Sequence, residues 1–191
     1  MRVVAGKAKG LPLKAVPGNS TRPTTDKVKE SVFNMIGPFF DGGNALDLFA
    51  GSGGLGIEAL SRGIDKTVFI DKDSKAIETI RANLEKTRLN GQAEVYRNDA
   101  KRAIKILNKN DFKARLLFLD PPYHITEAYD LMDYAAENGI LTTDTIVVCE
   151  HEKGVQLADR TKYFERFKNE NYGGIAISIY RYTGEEGEII E

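Results

Sequence analysis

From residue 44 to residue 150, short strand-like runs alternate with helix-period patterns, and this alternation restricts the fold more than any other feature of the chain. Residues 45–49, 67–70, 94–97, 116–119 and 145–150 are short runs rich in apolar or β-branched residues and bounded by turn formers, as strands are. Residues 53–62, 74–88, 100–107 and 126–137 fill the gaps as helices, with Ile77, Ile80 and Leu84 on one face of the second. Strand–helix units in series imply parallel strands, because a parallel pair needs a long crossover and a helix supplies it. Residues 163–168 and 175–182 alternate around a turn at 171–174 and close the chain as an antiparallel hairpin.

In open α/β sheets ligands sit beyond the carboxyl ends of the strands. Leu116 to Leu119 make an apolar run that stops at Asp120. Pro121 and Pro122 then remove two backbone donors and fix φ near about −65°, so neither strand nor helix begins there. Tyr123 follows. A carboxylate, a stiff dipeptide and a ring suit methylation of an amino group on a base. Such an amine is a poor nucleophile because its lone pair is delocalised. The Asp120 carboxylate and the Pro121 carbonyl can accept its two N–H bonds and free the lone pair, and Tyr123 can stack on the base for about 1–3 kcal/mol. Asp-Pro-Pro-Tyr is also ordinary turn chemistry.

Gly51-Ser52-Gly53-Gly54-Leu55-Gly56 fits G-x-G-x-x-G after a strand and before a helix, and Asp71 follows twenty residues after Gly51. Read literally, this is the fingerprint of an NAD(P)-dependent oxidoreductase. Two further carboxylates favour another ligand. Asp47 stands inside the first strand of the series, where it can face a cationic amino-acid group. Asp99, at a third strand end, can accept from an adenine amino group. Together with Asp71 for ribose hydroxyls they suit S-adenosylmethionine. The plainer alternative makes Asp47 a loop cap and Asp71 and Asp99 helix N-caps.

Ahead of this region, residues 2–5 and 13–16 read as two strands around a Gly/Lys turn that carries Lys7 and Lys9. A helix follows with a threonine as N-cap; Val28, Val32, Met35, Ile36 and Phe39 fall on one face, and Pro38 and Gly42-Gly43 end it. Net charge over the 191 residues is −1, yet the first thirty hold seven basic residues against Asp26 and Glu30. A basic front end on a neutral body points to a local polyanion contact. The single cysteine, Cys149, excludes an internal disulfide, suits a reducing cytoplasm, and lies in an apolar run as a structural thiol does. Two histidines make a histidine metal site unexpected. No apolar run reaches the ~18 residues of a membrane span, and the start lacks the apolar core of a signal peptide.

The segments RVVAGKAKG, TRPTTDKVKESVFNMI, LDLFAGSGGLGIEALSRG, FIDKD and FLDPPY, in this order, resemble the bacterial small-subunit (16S) rRNA guanine-N2 methyltransferase family of class I S-adenosylmethionine-dependent enzymes. The resemblance runs from Arg2 to Tyr182. It implies a Rossmann-like α/β fold: a seven-stranded, mostly parallel sheet with an antiparallel last strand. Residues 1–21 would be a basic hairpin extension, 22–183 the methyltransferase domain and 184–191 an acidic tail. It further implies methyl transfer to the 2-amino group of a guanine in 16S rRNA during small-subunit assembly, without a metal. Asp47, Phe49, Gly51, Gly53, Gly56, Asp71, Lys72, Asp99 and Ala100 would bind the donor. Asp120, Pro121, Pro122 and Tyr123 would hold the guanine, and Arg2, Lys7, Lys9 and Arg22 would face RNA. Leu11 and Lys29 stand where the family favours arginine, and Asp71 where it favours glutamate. A DNA adenine-N6 methyltransferase would use the same four residues, but 191 residues show no separate DNA-reading domain. A non-catalytic RNA-binding protein would keep the basic hairpin without needing Asp-Pro-Pro-Tyr.

Overall fold

The computed structural model describes residues 1–18, 24–122 and 124–184. Two compact units divide the chain, Met1–Ala100 and Lys101–Glu191.

In the first unit, Thr25 caps α1 (Asp26–Ile36) by accepting the Val28 N–H on its hydroxyl at 3.3 Å. Val28, Val32, Phe33 and Ile36 bury the inner face; Met35 is only half-buried and Phe39, beyond the helix, is 62% exposed. Two strand–helix units and a third strand follow: β1 (Asn44–Asp47), α2 (Gly54–Ser61), β2 (Lys66–Asp71), α3 (Ser74–Thr87) and β3 (Ala93–Arg97). β1 pairs with β2 and β2 with β3, all parallel. α2 packs on β1 and β2, and α3 on β2 and β3.

In the second unit, α4 (Ala100–Lys109) leads into β4 (Ala114–Leu119), a 3₁₀ turn (Thr126–Asp130), α5 (Leu131–Glu137), β5 (Leu141–Glu152), β6 (Phe164–Tyr172) and β7 (Ile175–Tyr182). β4 and β5 are parallel, while β7 runs antiparallel to both β5 and β6. The strand order is β3-β2-β1-β4-β5-β7-β6, a seven-stranded mixed sheet in which the last strand of the chain is the reversed one.

The expected N-terminal pair of strands reduces to one isolated antiparallel bridge between Arg2 and Pro12. Around that bridge Val3 N–H donates to the Leu11 carbonyl, Leu13 N–H to the Met1 carbonyl and Gly10 N–H to the Val3 carbonyl, while neighbouring donors turn to the body of the unit. Val4 and Ala5 N–H groups go to the Glu58 carboxylate, Lys7 N–H to the Ser61 carbonyl, and Lys14 N–H to Asn83 Oδ1. The helix expected over 126–137 is split, because the chain leaving Pro122 first tightens into i→i+3 bonds, Ile125 to Pro122 and Ala128 to Ile125. Part of the loop at 18–21 and most of the acidic tail lie outside the described residues. Among the described residues, no helix is long and apolar enough to cross a membrane, and no three histidine, cysteine or acidic side chains gather as a metal site would.

Candidate active site

Asp47 ends β1, is 2% exposed, and its Oδ1 has no hydrogen-bond partner. Burial, with the Asp71 charge nearby, pushes its carboxyl up to about 7, against the pull of the Phe49 and Gly56 N–H groups. A buried carboxylate oxygen without a donor is costly unless a ligand supplies one. The glycines beyond it divide by role. Gly51 has φ +55 and open space where a Cβ would stand, and Gly53, with φ +84, caps α2. Gly56 is different: a Cβ there would stand 2.4 Å from the Phe69 ring, so helix–strand packing accounts for this glycine. Asp71 braces the turn, with Oδ2 accepting the Gly51 N–H and Oδ1 the Asp73 N–H, both at 2.9 Å. The N-cap of α3 is Asp73, not Asp71; it accepts the Lys75 N–H at 3.0 Å. Phe49 is half-buried, Lys72 places its ammonium 3.4 Å from Asp99 Oδ1, and Ala100 is the buried first residue of α4. An orphaned buried carboxyl oxygen and a glycine turn with one open side, braced by the Asp71 carboxylate, leave room for a ligand with a cationic head.

In the second unit, half-buried Asp120 follows β4 directly, Pro121 is buried and Pro122 exposed. The Pro122 carbonyl accepts the Ile125 N–H at 2.9 Å, which commits it to the turn and makes the Pro121 carbonyl the acceptor to consider beside Asp120. Tyr123 lies outside the described residues. Cys149 stands opposite Leu119 on β5, and burial pushes its thiol up, which suits a structural role.

Of the expected RNA contacts, Lys7 and Lys9 are exposed on the turn at 6–10, where Lys7 bonds the Gln92 side chain. Arg2 is exposed but tied to Asp26, through its N–H and Nε at 3.1 Å each. Arg22 lies outside the described residues. Lys29, counted in the basic front end, is completely buried and cannot contribute to a surface contact.

The family model described as Conserved hypothetical protein 95 matches residues 1–181. "Putative rRNA methyltransferase YlbH" of Bacillus subtilis is 50% identical over 96% of this chain and all of its own length. "Ribosomal RNA small subunit methyltransferase D" of Haemophilus influenzae is 34% identical over 80% of this chain and 79% of its own. The chain belongs to the methyltransferase D family. Among solved structures, "Putative methyltransferase yhhF from Escherichia coli" is similar at a TM-score of 0.82, with 28% identity over 97% of this chain and 99% of that one.

Three residues that sequence reasoning missed hold the first unit of this methyltransferase D family member together. Glu58, fully buried on α2, accepts the Val4 and Ala5 N–H groups and pairs with buried Arg62 at 3.0 Å and buried Lys29 at 3.7 Å. Arg62 also donates to the Pro38 carbonyl and lies 4.9 Å from the centre of the Phe33 ring. Asn83, buried on α3, donates to the Ser52 carbonyl inside the glycine turn at 2.8 Å and bonds Lys14 in both directions. A signal was present: Glu58 and Arg62 stand four apart on an otherwise apolar segment, and Asn83 falls on the Ile80/Leu84 face.

Proposed function

We propose that this chain transfers a methyl group from S-adenosylmethionine to the 2-amino group of a guanine in small-subunit rRNA, during assembly of that subunit. Membership of the methyltransferase D family, and relatives named for rRNA methylation, support rRNA over DNA and methyl transfer over hydride transfer. The observation that carries the donor assignment is the buried, unpartnered Oδ1 of Asp47. A carboxylate in that state calls for a cation, which the α-ammonium of the donor offers and a pyrophosphate does not.

The bound donor supplies a methyl group already activated on a sulfonium, so no metal is needed. Asp47 holds the ammonium, the open side of Gly51 lets the donor approach the backbone, and Asp71 and Asp99 accept from ribose and adenine. The base is assigned to Asp120, Pro121 and Tyr123. Asp120 and the Pro121 carbonyl accept the two amino N–H bonds, which draws the nitrogen toward tetrahedral geometry and aims its lone pair. Carbon–nitrogen bond formation accompanies carbon–sulfur cleavage, and the proton shed by the nitrogen leaves through the Asp120 carboxylate to solvent. Most of the acceleration comes from positioning and from acceptors matched to the pyramidal nitrogen. The guanine must be unpaired or turned out of its stack for its amino group to be reached.

Incubation with labelled S-adenosylmethionine and rRNA from cells lacking the gene, followed by digestion to nucleosides, tests this reading. Label is expected in N2-methylguanosine of small-subunit RNA. Label in an adenine nucleoside, or preferential labelling of DNA, would contradict it. Naked RNA, assembly intermediates and finished subunits compared side by side identify the substrate form.

A further inference from the structure

We infer that the exposed face of α4 is a docking surface for the phosphate backbone of RNA. This rests on the rRNA reading above and extends it to a surface remote in sequence from the basic N-terminal turn. Ala103, Ile104 and Leu107 bury the inner stripe of α4, while Lys101, Arg102, Lys105 and Lys109 are exposed; the helix contains no acidic residue.

An ordinary solvated helix face mixes signs. α3 does so, exposing Lys75, Glu78, Arg81, Glu85 and Lys86. α4 does the opposite, at two electrostatic costs. Lys101, Lys105 and Lys109 are spaced i, i+4, i+8, so like charges repel along one row. Lys101 and Arg102 also occupy the first turn, at the positive end of the helix dipole, where cations are disfavoured. The Lys101 ammonium 5.4 Å from the centre of the Tyr134 ring offsets part of this. An anion laid along the row would oppose both costs.

The shape of that anion follows from the spacing. At about 1.5 Å rise per residue, Lys101 and Lys109 are about 12 Å apart along the axis, long enough for the row to meet several successive phosphates rather than a single one. A net charge of −1 gives the chain no general attraction for a polyanion, so phosphate contacts must come from local clusters. The row also begins two residues past Asp99, next in the chain to the expected adenine site.

The test uses the full chain and a labelled fragment of small-subunit rRNA. In the Lys105→Gln/Lys109→Gln double variant, the slope of log affinity against log salt should fall by about 0.7 per cation for single-stranded RNA, and affinity at low salt by about tenfold. Donor affinity should be unchanged. Thermal stability should hold or rise, since Gln keeps helix propensity and removes repulsion. Lys105→Arg/Lys109→Arg should bind as the parent does. The matched α3 double variant, Lys75→Gln/Lys86→Gln, should leave RNA affinity and salt slope in place.

Unchanged binding by the α4 variant, or equal loss by the α3 variant, overturns the α4 surface while the rRNA reading stands. Retained affinity for naked RNA with lost affinity for assembled subunits also overturns it, and assigns the face to an acidic protein instead. A parent protein with no RNA affinity overturns both readings.

Discussion

Asp47 gives up solvent on both oxygens, has Asp71 as a neighbour, and is left with an unpartnered Oδ1. Its folded carboxyl lies at about 7 against 3.8 for the unperturbed group, so between those values the folded state binds more protons than the unfolded one. The associated stability is full below 3.8 and is lost as pH rises through about 7. Without donor, unfolding free energy should therefore decline from pH 4 toward pH 7, and Asp47→Asn should remove that decline; denaturant titrations at several pH values read it directly, and an equal decline in the variant would show another group responsible. A cationic donor beside Asp47 favours the charged form, so binding at pH 7 should release about half a proton. Calorimetry in two buffers of different ionisation heat measures the release, which should vanish in Asp47→Asn.

At the scale of elements, the glycine turn is braced from three sides. Asp71 holds Gly51, Asn83 holds Ser52, and Gly56 lets α2 lie directly on β2. Gly56→Ala pushes a methyl group toward the Phe69 ring and should cost about 1–3 kcal/mol in denaturant unfolding. Asn83→Ala leaves the Lys14 and Ser52 groups without their buried partner; it should cost about 2 kcal/mol and weaken donor binding through a loosened turn. A fully stable Asn83→Ala variant would show that the turn holds its shape unaided.

The strand–helix series was readable because each buried strand is a short apolar run ending at a carboxylate. Other elements were hidden for physical reasons. β5 begins at Leu141, earlier than its apolar stretch, because Thr145 Oγ1 accepts the Thr142 N–H and donates to the Ala114 carbonyl, ordering a polar start. The N-terminal pairing stops at one bridge, flanked by the Val3–Leu11 and Leu13–Met1 bonds, because the next donors, Val4 and Ala5, serve the distant Glu58 carboxylate. The donor carboxylates were visible by spacing, but the orphaned state of Asp47, the packing role of Gly56 and the cap at Asp73 needed coordinates.

Across the whole molecule, charge is used in two ways. Lys29, Glu58 and Arg62 are buried and tie the N-terminal segment to α2, where burial holds the Lys29 ammonium below its usual range despite Glu58. Glu58→Gln leaves two buried cations without their anion and should destabilise by about 3–5 kcal/mol; a variant of parental stability in denaturant would show that those cations are otherwise compensated. Lys7 and Lys9 stay at the surface, and salt should weaken RNA binding through them.

The central claim is that the Asp120–Pro121 corner prepares an aromatic amine for attack, and Asp120→Ala tests it most directly. Single-turnover methylation of small-subunit rRNA should fall by several orders of magnitude in that variant, while S-adenosylmethionine affinity, measured on the same preparation, stays near the parental value. Methylation at a near-parental rate would contradict the account.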